Sequence, residues 1–385
     1  MRVENSIYMD YQATTPVDER VLEEMLPHFT RFFGNPHSSD HALGWSADRA
    51  VEIARGKIAF LIGANSEEIV FTSGATESNN HVLSAVAKAN RSRRRKLVVA
   101  ATEHKCVLAT AETVADEFGL TLEVVPVHAD GRIDQDAYRH LLDEDVLLVA
   151  IMAVNNEIGS IQDISMLAAL AHEYGALFHC DAAQAPVAID LDVASLGVDF
   201  LSLSAHKIYG PKGVGALYVR SELQSSFPPL IHGGGQQGGL RSGTLPTPLC
   251  VGFGRAAEIM MEEAVGERAR LRGLKVRFFE GLSAAGVRYE VNGSTDARAH
   301  PGNLSIQFAG VDAHWLLTSL QPHLCASTGS ACNSGTIDQS YVLQAIGLDR
   351  ERAASSIRFS LGRFSDEQQV DDAVKLLAAK IASLI

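Results

Sequence analysis

Lys207 lies in the segment Leu201 to Arg220, an apolar run that breaks into small and polar residues just before the lysine. A second apolar run, Gly175 to Gln184, contains Asp181, 26 positions upstream. A carboxylate at the end of one buried strand and an amine just past another suit pyridoxal 5'-phosphate chemistry. The amine would form a Schiff base with the cofactor aldehyde, and the carboxylate would keep the pyridine nitrogen protonated so that the ring draws electrons. A surface lysine after a strand and an aspartate capping a helix would leave the same two letters.

Other constellations bear on that choice. In Phe71 to Glu77 a strand gives way to a turn at Gly74, and a helix begins at Ala75 and Thr76. Unpaired backbone N–H groups at a helix start bind anions, and the Thr76 hydroxyl adds a donor. An ordinary capped helix is the alternative. His104 follows the apolar run Leu97 to Ala101, at the end of a strand where open α/β sheets bind ligands. Its flat ring could stack on a cofactor and relay protons, or serve only structure. Asn156, also after a strand, offers a donor and an acceptor, or a turn. Gln184 could donate to a ring hydroxyl, and Ser204 and His206 to a phosphate. Cys332 sits among small residues without apolar periodicity, Cys325 to Gly335, which describes a flexible loop. A thiol there suits a nucleophile that visits one partner and delivers to another. Cys325 itself reads as a buried strand residue. Arg358 falls inside an apolar strand pattern and needs a partner: a substrate carboxylate gripped by two hydrogen bonds, or a structural ion pair.

The elements that must position these groups alternate along the chain. Ala47 to Leu61, Ser78 to Lys88 and Gln162 to Tyr174 have helical periodicity. Glu68 to Thr72, Leu97 to Ala101, Leu120 to Val127 and Val146 to Val154 read as strands. Buried strands separated by helices predict an α/β fold, a mainly parallel sheet with helices on both faces. After an apolar helix at Cys250 to Ala264 the pattern changes. Strand-like segments at Val287 to Val291 and Asn303 to Phe308, with helices at His314 to Leu320 and Asp366 to Leu384, predict a smaller α+β domain. The expected division is a large cofactor-binding domain over 17–260 and a small domain of 1–16 with 261–385, carrying the cysteine loop. The glycine-rich stretch from His232 to Gly239 is a loop.

With 385 residues, 46% of them hydrophobic, the chain can bury a large core. A net charge of −13 argues against nucleic-acid binding, and the basic run Arg91 to Lys96 reads as a solvated loop. No apolar stretch reaches the ~20 residues of a bilayer span, and the N-terminus has no secretory pattern. Five widely spaced cysteines with no CxxC argue against a disulfide framework or a zinc site, so a reducing cytoplasm is the expected setting.

Together the motifs resemble group I cysteine desulfurases, in the class V aminotransferase-like branch of fold-type I pyridoxal phosphate enzymes. The resemblance runs from Tyr8–Pro16 through Gly34–Ser38, Phe71–Asn79, Glu103–Lys105, Val154–Gly159, Asp181–Gln184, Ser204–Gly213, Leu240–Thr244, His300–Leu304 and Ser327–Cys332 to Ser355–Arg363. It implies that Lys207 anchors the cofactor, His104 stacks on its ring, Asp181 pairs with its nitrogen and Gln184 contacts its hydroxyl. Ala75, Thr76, Ser204 and His206 bind phosphate, with Thr244 supplied by the second subunit of a homodimer. Asn35, Asn156 and Arg358 hold L-cysteine. Cys332 takes its sulfur as a persulfide, alanine leaves, and the sulfur passes to an acceptor protein. A transaminase or selenocysteine lyase on the same scaffold is the alternative enzyme, and the loop thiol argues against a transaminase. A mere organising subunit would not need the full set of substrate groups. Two departures bear on the acceptor. Gln237-Gly238 stands where relatives that feed iron–sulfur scaffolds carry an acidic–basic pair, and the chain ends at Ile385 without their longer tail. A dedicated acceptor is therefore expected, be it a scaffold, a sulfur carrier or a modification enzyme such as one for DNA phosphorothioation.

Overall fold

The computed structural model describes residues 1–90, 93–328 and 340–383. Its centre is a seven-stranded sheet of β1 (Ile69–Thr72), β2 (Lys96–Ala100), β3 (Thr121–Val125), β4 (Val146–Ala150), β5 (Leu177–Asp181), β6 (Phe200–Ser204) and β7 (Gly215–Val219). The spatial order is β1-β7-β6-β5-β4-β2-β3, and β7 alone runs against the others. All but the edge strand β3 are almost wholly buried, which is why their sequences are continuous apolar runs.

Alternate residues of each strand face opposite ways. Val98, Ile69, Phe71, Leu201 and Leu203 pack into one apolar cluster with the helix Ala42–Leu61, with α3 (Ile164–Glu173) and with α4 (Thr247–Ala284). Leu97, Val99, Val70 and Phe200 pack into a second cluster with α1 (Ala75–Ala89) and α2 (Lys105–Phe118). The sheet is therefore covered on both faces, as predicted. The rest of the chain forms an antiparallel sheet of β8 (Glu290–Val291), β9 (Asn303–Gln307) and β10 (Ser356–Ser360). The N-terminal arm joins this region. Ser6–Tyr8 pairs in parallel with Leu324–Cys325, and the Met9 carbonyl accepts from Ser360 N–H at 2.7 Å.

Several expected boundaries move for identifiable reasons. α4 does not stop at Ala264 but continues to Ala284 as one 38-residue helix. Beyond Ala264 its buried positions Arg268, Leu271, Leu274, Phe278 and Leu282 keep a helical spacing on a narrower stripe among charged residues. β4 ends at Ala150 rather than Val154, because the Met152 N–H leaves the ladder for the Glu103 carboxyl at 2.6 Å. α1 starts at Ala75, as the turn at Gly74 predicts and three residues ahead of the apolar pattern that begins at Ser78. The basic run is more than a solvated loop: Arg94 donates to the carbonyls of Val146 and Tyr174 at 2.7 and 2.9 Å.

The turn after β1 depends on two facing glycines. Gly74 caps α1 at φ 152°, and a Cβ on Gly215 would lie 2.6 Å from Gly74 Cα and from the Leu203 carbonyl oxygen. Both obstacles are backbone and cannot rotate away. Gly215→Ala is expected to lower the free energy of unfolding by about 1–3 kcal/mol. Urea unfolding checks it, and an unchanged midpoint would show that the β1–β7 edge yields freely.

Candidate functional site

The carboxyl ends of β1, β2, β4, β5 and β6 open into one cavity of about 520 Å³, where a doubly wound sheet binds its ligand. Each strand delivers a side chain and then turns. β6 runs into a short 3-10 turn, Ala205–Lys207, which swings the lysine over the cavity. Its Nζ donates to the carbonyls of Gln12 and Ala13 at 2.6 and 2.9 Å. Asp181, the last residue of β5, is 6% exposed. Its Oδ2 accepts from Asn79 Nδ2 at 2.7 Å and its Oδ1 from the Ala183 N–H at 3.0 Å. Gln184 lines the same wall and donates to the Gln12 carbonyl at 2.9 Å.

At one end of the cavity the first turn of α1 presents Gly74, Ala75 and Thr76. Ser204 and His206 also line the cavity, and a Cβ on Gly74 would sit 3.9 Å from Ser204 Oγ. His206 Nδ1 lies 3.0 Å from Thr14 Oγ1. Burial, reinforced by the charges of Lys207 and Lys212, lowers the His206 pKa to about 4. An anion bound here would reverse that electrostatic push. His104 caps α2 and is also lowered in pKa, first by burial. Its ring is therefore neutral near pH 7.

Arg358 lines the cavity from β10 and is 4% exposed. It has partners already: Nη2 donates to Asp10 at 2.6 Å and Nη1 to the Asn156 carbonyl at 2.9 Å. Burial raises the Asp10 pKa, against the pull of Arg358 and Lys207. The ion-pair reading of Arg358 thus has a geometric basis, and the guanidinium Nε has no hydrogen-bond partner among the described residues.

Ten of the thirteen predicted site residues line this cavity. Asn35 and Thr244 are exposed and do not. Cys332 lies outside the described residues. Sequence reasoning missed Asn79, Cys106, Lys212 and the carbonyls of Gln12 and Ala13. Asn79 had a signal, since it stands one helical turn beyond Thr76. The carbonyls had none, because their partner is nearly 200 positions away.

The residues present fit pyridoxal 5'-phosphate. An amine, a buried carboxylate fixed by donors and a helix start flanked by the Thr76 and Ser204 hydroxyls converge on one space. Residues 7–373 match the family described as aminotransferase class-V, and the chain belongs to that family. Within it, the similarity is to cysteine desulfurases. The cysteine desulfurase IscS of Rickettsia bellii is 46% identical over 378 residues, covering 98% of this chain and 92% of that one. Among solved structures, a NifS-like protein superposes with a TM-score of 0.91 at 36% identity, covering 99% of this chain and 100% of that one. SspA in complex with cysteine gives 0.82 at 37%, covering 94% and 100%.

Glu157, beside Asn156, is 6% exposed, and its Oε2 accepts from Ser340 Oγ at 2.5 Å. Burial pushes its pKa from 4.5 up to about 7. The folded state then binds this proton more tightly than the unfolded chain. Stability from this group is complete below about pH 4.5 and is lost as pH rises to about 7. Glu157→Gln, which copies the protonated form, should add roughly 2–3 kcal/mol at pH 8 and almost nothing near pH 4.5. Urea unfolding at the two pH values reads the difference. Equal effects at both would refute the protonated carboxyl.

Proposed function

We propose that this enzyme, a pyridoxal 5'-phosphate-dependent cysteine desulfurase, converts L-cysteine to L-alanine in this cavity. The sulfur is carried as a persulfide on Cys332 and handed to an acceptor protein. The observation that carries the reading is the convergence of the Lys207 amine, the Asp181 carboxylate and the Arg358 guanidinium on one cavity. A related protein's structure is described as a complex with cysteine.

When bound, the cofactor supplies an electron sink that acidifies the substrate Cα–H and weakens Cβ–S. The chain's own groups do the rest. Lys207 Nζ anchors the cofactor and, once released, moves a proton at the substrate Cα. His104 stacks on the ring and shares proton transfer. Asp181 holds the ring nitrogen's proton, and Gln184 donates to the ring hydroxyl. Ala75, Thr76, Ser204 and His206 hold the phosphate. Asn156, Asn35 and Arg358 hold the substrate. The Cys332 thiolate forms an S–S bond with the substrate sulfur as Cβ–S breaks. Cβ keeps the electron pair and takes a proton, so L-cysteine and one thiol give L-alanine and one persulfide.

A homodimer follows from the same reading. Leu22, Leu26, Phe29, Phe32, Phe33 and Trp45 leave large apolar side chains exposed between residues 22 and 45. A second copy is the natural cover for them, and it would bring Thr244 to its neighbour's phosphate. We assign residues 17–260 to a large cofactor-binding domain and 1–16 with 261–385 to a small domain carrying Cys332. No helix among the described residues is long and apolar enough to cross a membrane. A reducing cytoplasm is the proposed setting, since Cys332 must remain a thiol. The net charge of −13 favours a protein acceptor over bare nucleic acid.

Two lysines line the cavity, so the anchor can be tested by competition. Borohydride reduction should fix the cofactor on Lys207, and recovery on Lys212 would sink the assignment. Cys332→Ser should retain the cofactor yet form no protein persulfide from cysteine. A persulfide of normal yield on Cys325 would move the chemistry to the other thiol.

Arg358→Lys keeps a cation beside Asp10 but loses the two-pronged grip. Charge-assisted hydrogen bonds are worth about 1.5–3 kcal/mol, so cysteine affinity should fall roughly 10- to 100-fold with the cofactor retained. Unchanged affinity in the folded variant would leave Arg358 as Asp10's structural partner alone.

A further inference from the structure

Cys106 is the one cysteine among the described residues that lines the cofactor cavity. It is the second residue of α2, directly after the turn that His104 caps. Its backbone N–H donates to His104 Nδ1 at 3.2 Å, and its Sγ lies 3.0 Å from the same nitrogen. A ring nitrogen that accepts a backbone N–H carries no proton, so the proton of the neutral ring is on Nε2. The sulfur has a second set of neighbours. Asn79 Nδ2 donates to it at 3.3 Å, and the same amide donates to Asp181 Oδ2 at 2.7 Å. The Thr76 side chain also hydrogen-bonds the thiol.

The direction of the S–H bond follows. Burial pushes the Cys106 thiol up to about 11, so it stays protonated and is no nucleophile near neutral pH. Asn79 Nδ2 can only donate. The Thr76 hydroxyl contact lowers the thiol pKa and so donates as well. The sulfur therefore accepts from Asn79 and Thr76, and its own proton is left for Nδ1. The chain of contacts runs Asp181 Oδ2, Asn79 Nδ2, Cys106 Sγ, His104 Nδ1. It links the carboxylate beneath the cofactor nitrogen to the imidazole assigned to stack on the ring, and Thr76 ties it to the phosphate end.

We propose that Cys106 is a positioning residue. Its S–H, held by Asn79 and directed at Nδ1, adds a second donor beside the Cys106 backbone N–H that already sets the Nε2–H tautomer of His104, and it opposes protonation at Nδ1, so His104 exchanges protons through Nε2 alone. The catalytic consequence rests on the role given above to His104. The tautomer itself does not, since it follows from contacts within the chain.

The test uses the full-length protein with and without cofactor. Three groups act on the ring: Asp181 from β5 raises the His104 pKa, Lys207 after β6 lowers it, and Cys106 contacts Nδ1, while the buried carboxyl of the preceding Glu103 is turned to the Met152 N–H. In the cofactor-free protein, ring ¹⁵N shifts of His104, identified by their loss in His104→Gln, should show the Nε2–H tautomer. In Cys106→Ala the titration midpoint of this ring should rise by roughly 0.5–1 pH unit, the worth of one modest hydrogen bond. Cys106→Ser, which keeps a donor, should restore it. In the loaded enzyme kcat should fall about 3- to 10-fold for the alanine variant, with KM little changed, and recover with serine. If Cys106→Ala does not fold, Cys106→Val, close in size and without a donor, is read the same way. A midpoint unmoved by loss of the thiol, or serine behaving like alanine, overturns the proposal. Absence of alanine formation in the wild type would instead count against the desulfurase reading and leave the ¹⁵N result standing.

Discussion

The buried carboxylate of Asp181 sets terms that much of the molecule has to meet. A carboxylate removed from water costs several kcal/mol unless donors replace its hydration. Two do so, the Asn79 amide and the Ala183 N–H. Asn79 belongs to α1, so this helix must pass close to the end of β5, two strands away from the β7 edge that its own turn crosses. That closeness is possible because β7 meets the α1 turn glycine to glycine, Gly215 against Gly74. A requirement of one charge thereby becomes a packing rule at the sheet edge, and the same turn leaves the anion-binding amides of α1 at the mouth of the cavity.

The two ends of the chain close the site from the other side. Lys207 is steered by carbonyls of the N-terminal arm, at Gln12 and Ala13. Arg358, near the C-terminus, is held by Asp10 in that arm. The arm is fixed in turn by Ser360, whose Oγ accepts from the Gln12 N–H at 2.9 Å. Asn303 completes the link, donating both to Gln12 Oε1 at 2.6 Å and to the Glu157 carbonyl at 3.0 Å. Groups assigned to cofactor and to substrate thus share one hydrogen-bonded frame. A disturbance in the arm is transmitted to both.

Legibility in the sequence followed the range of the interactions. The buried strands were readable because a strand covered on both faces must be apolar throughout. The turn at Gly74, the helix start at Thr76 and the histidine after β2 were readable because each is a local break in that pattern. Nine of the predicted site residues meet at one cavity because a mainly parallel sheet carries its strand ends to one edge, and Arg358 joins them from β10 of the second sheet. What sequence could not supply was the partner of each charge. Arg358 called for a carboxylate, yet Asp10 lies 348 positions away. The extent of α4 was missed because Arg268 and its neighbours bury charged side chains against backbone carbonyls, which dilutes the apolar stripe.

Gln237 shows how a departure from a family pattern can acquire a structural meaning. β1 is an edge strand, and an edge strand exposes unpaired peptide groups. Gln237 supplies what a neighbouring strand would. Its Oε1 accepts from the Phe71 N–H at 2.7 Å, and its Nε2 donates to the Phe71 carbonyl at 2.9 Å. The side-chain amide copies a peptide group and seals the edge beside the turn that carries Gly74. A carboxylate at this position could accept the N–H but would face the carbonyl with a second acceptor. The amide is thus the chemically matched choice for this edge whatever protein receives the sulfur. The following Gly238, at φ 66°, allows the loop to turn away once the amide is seated.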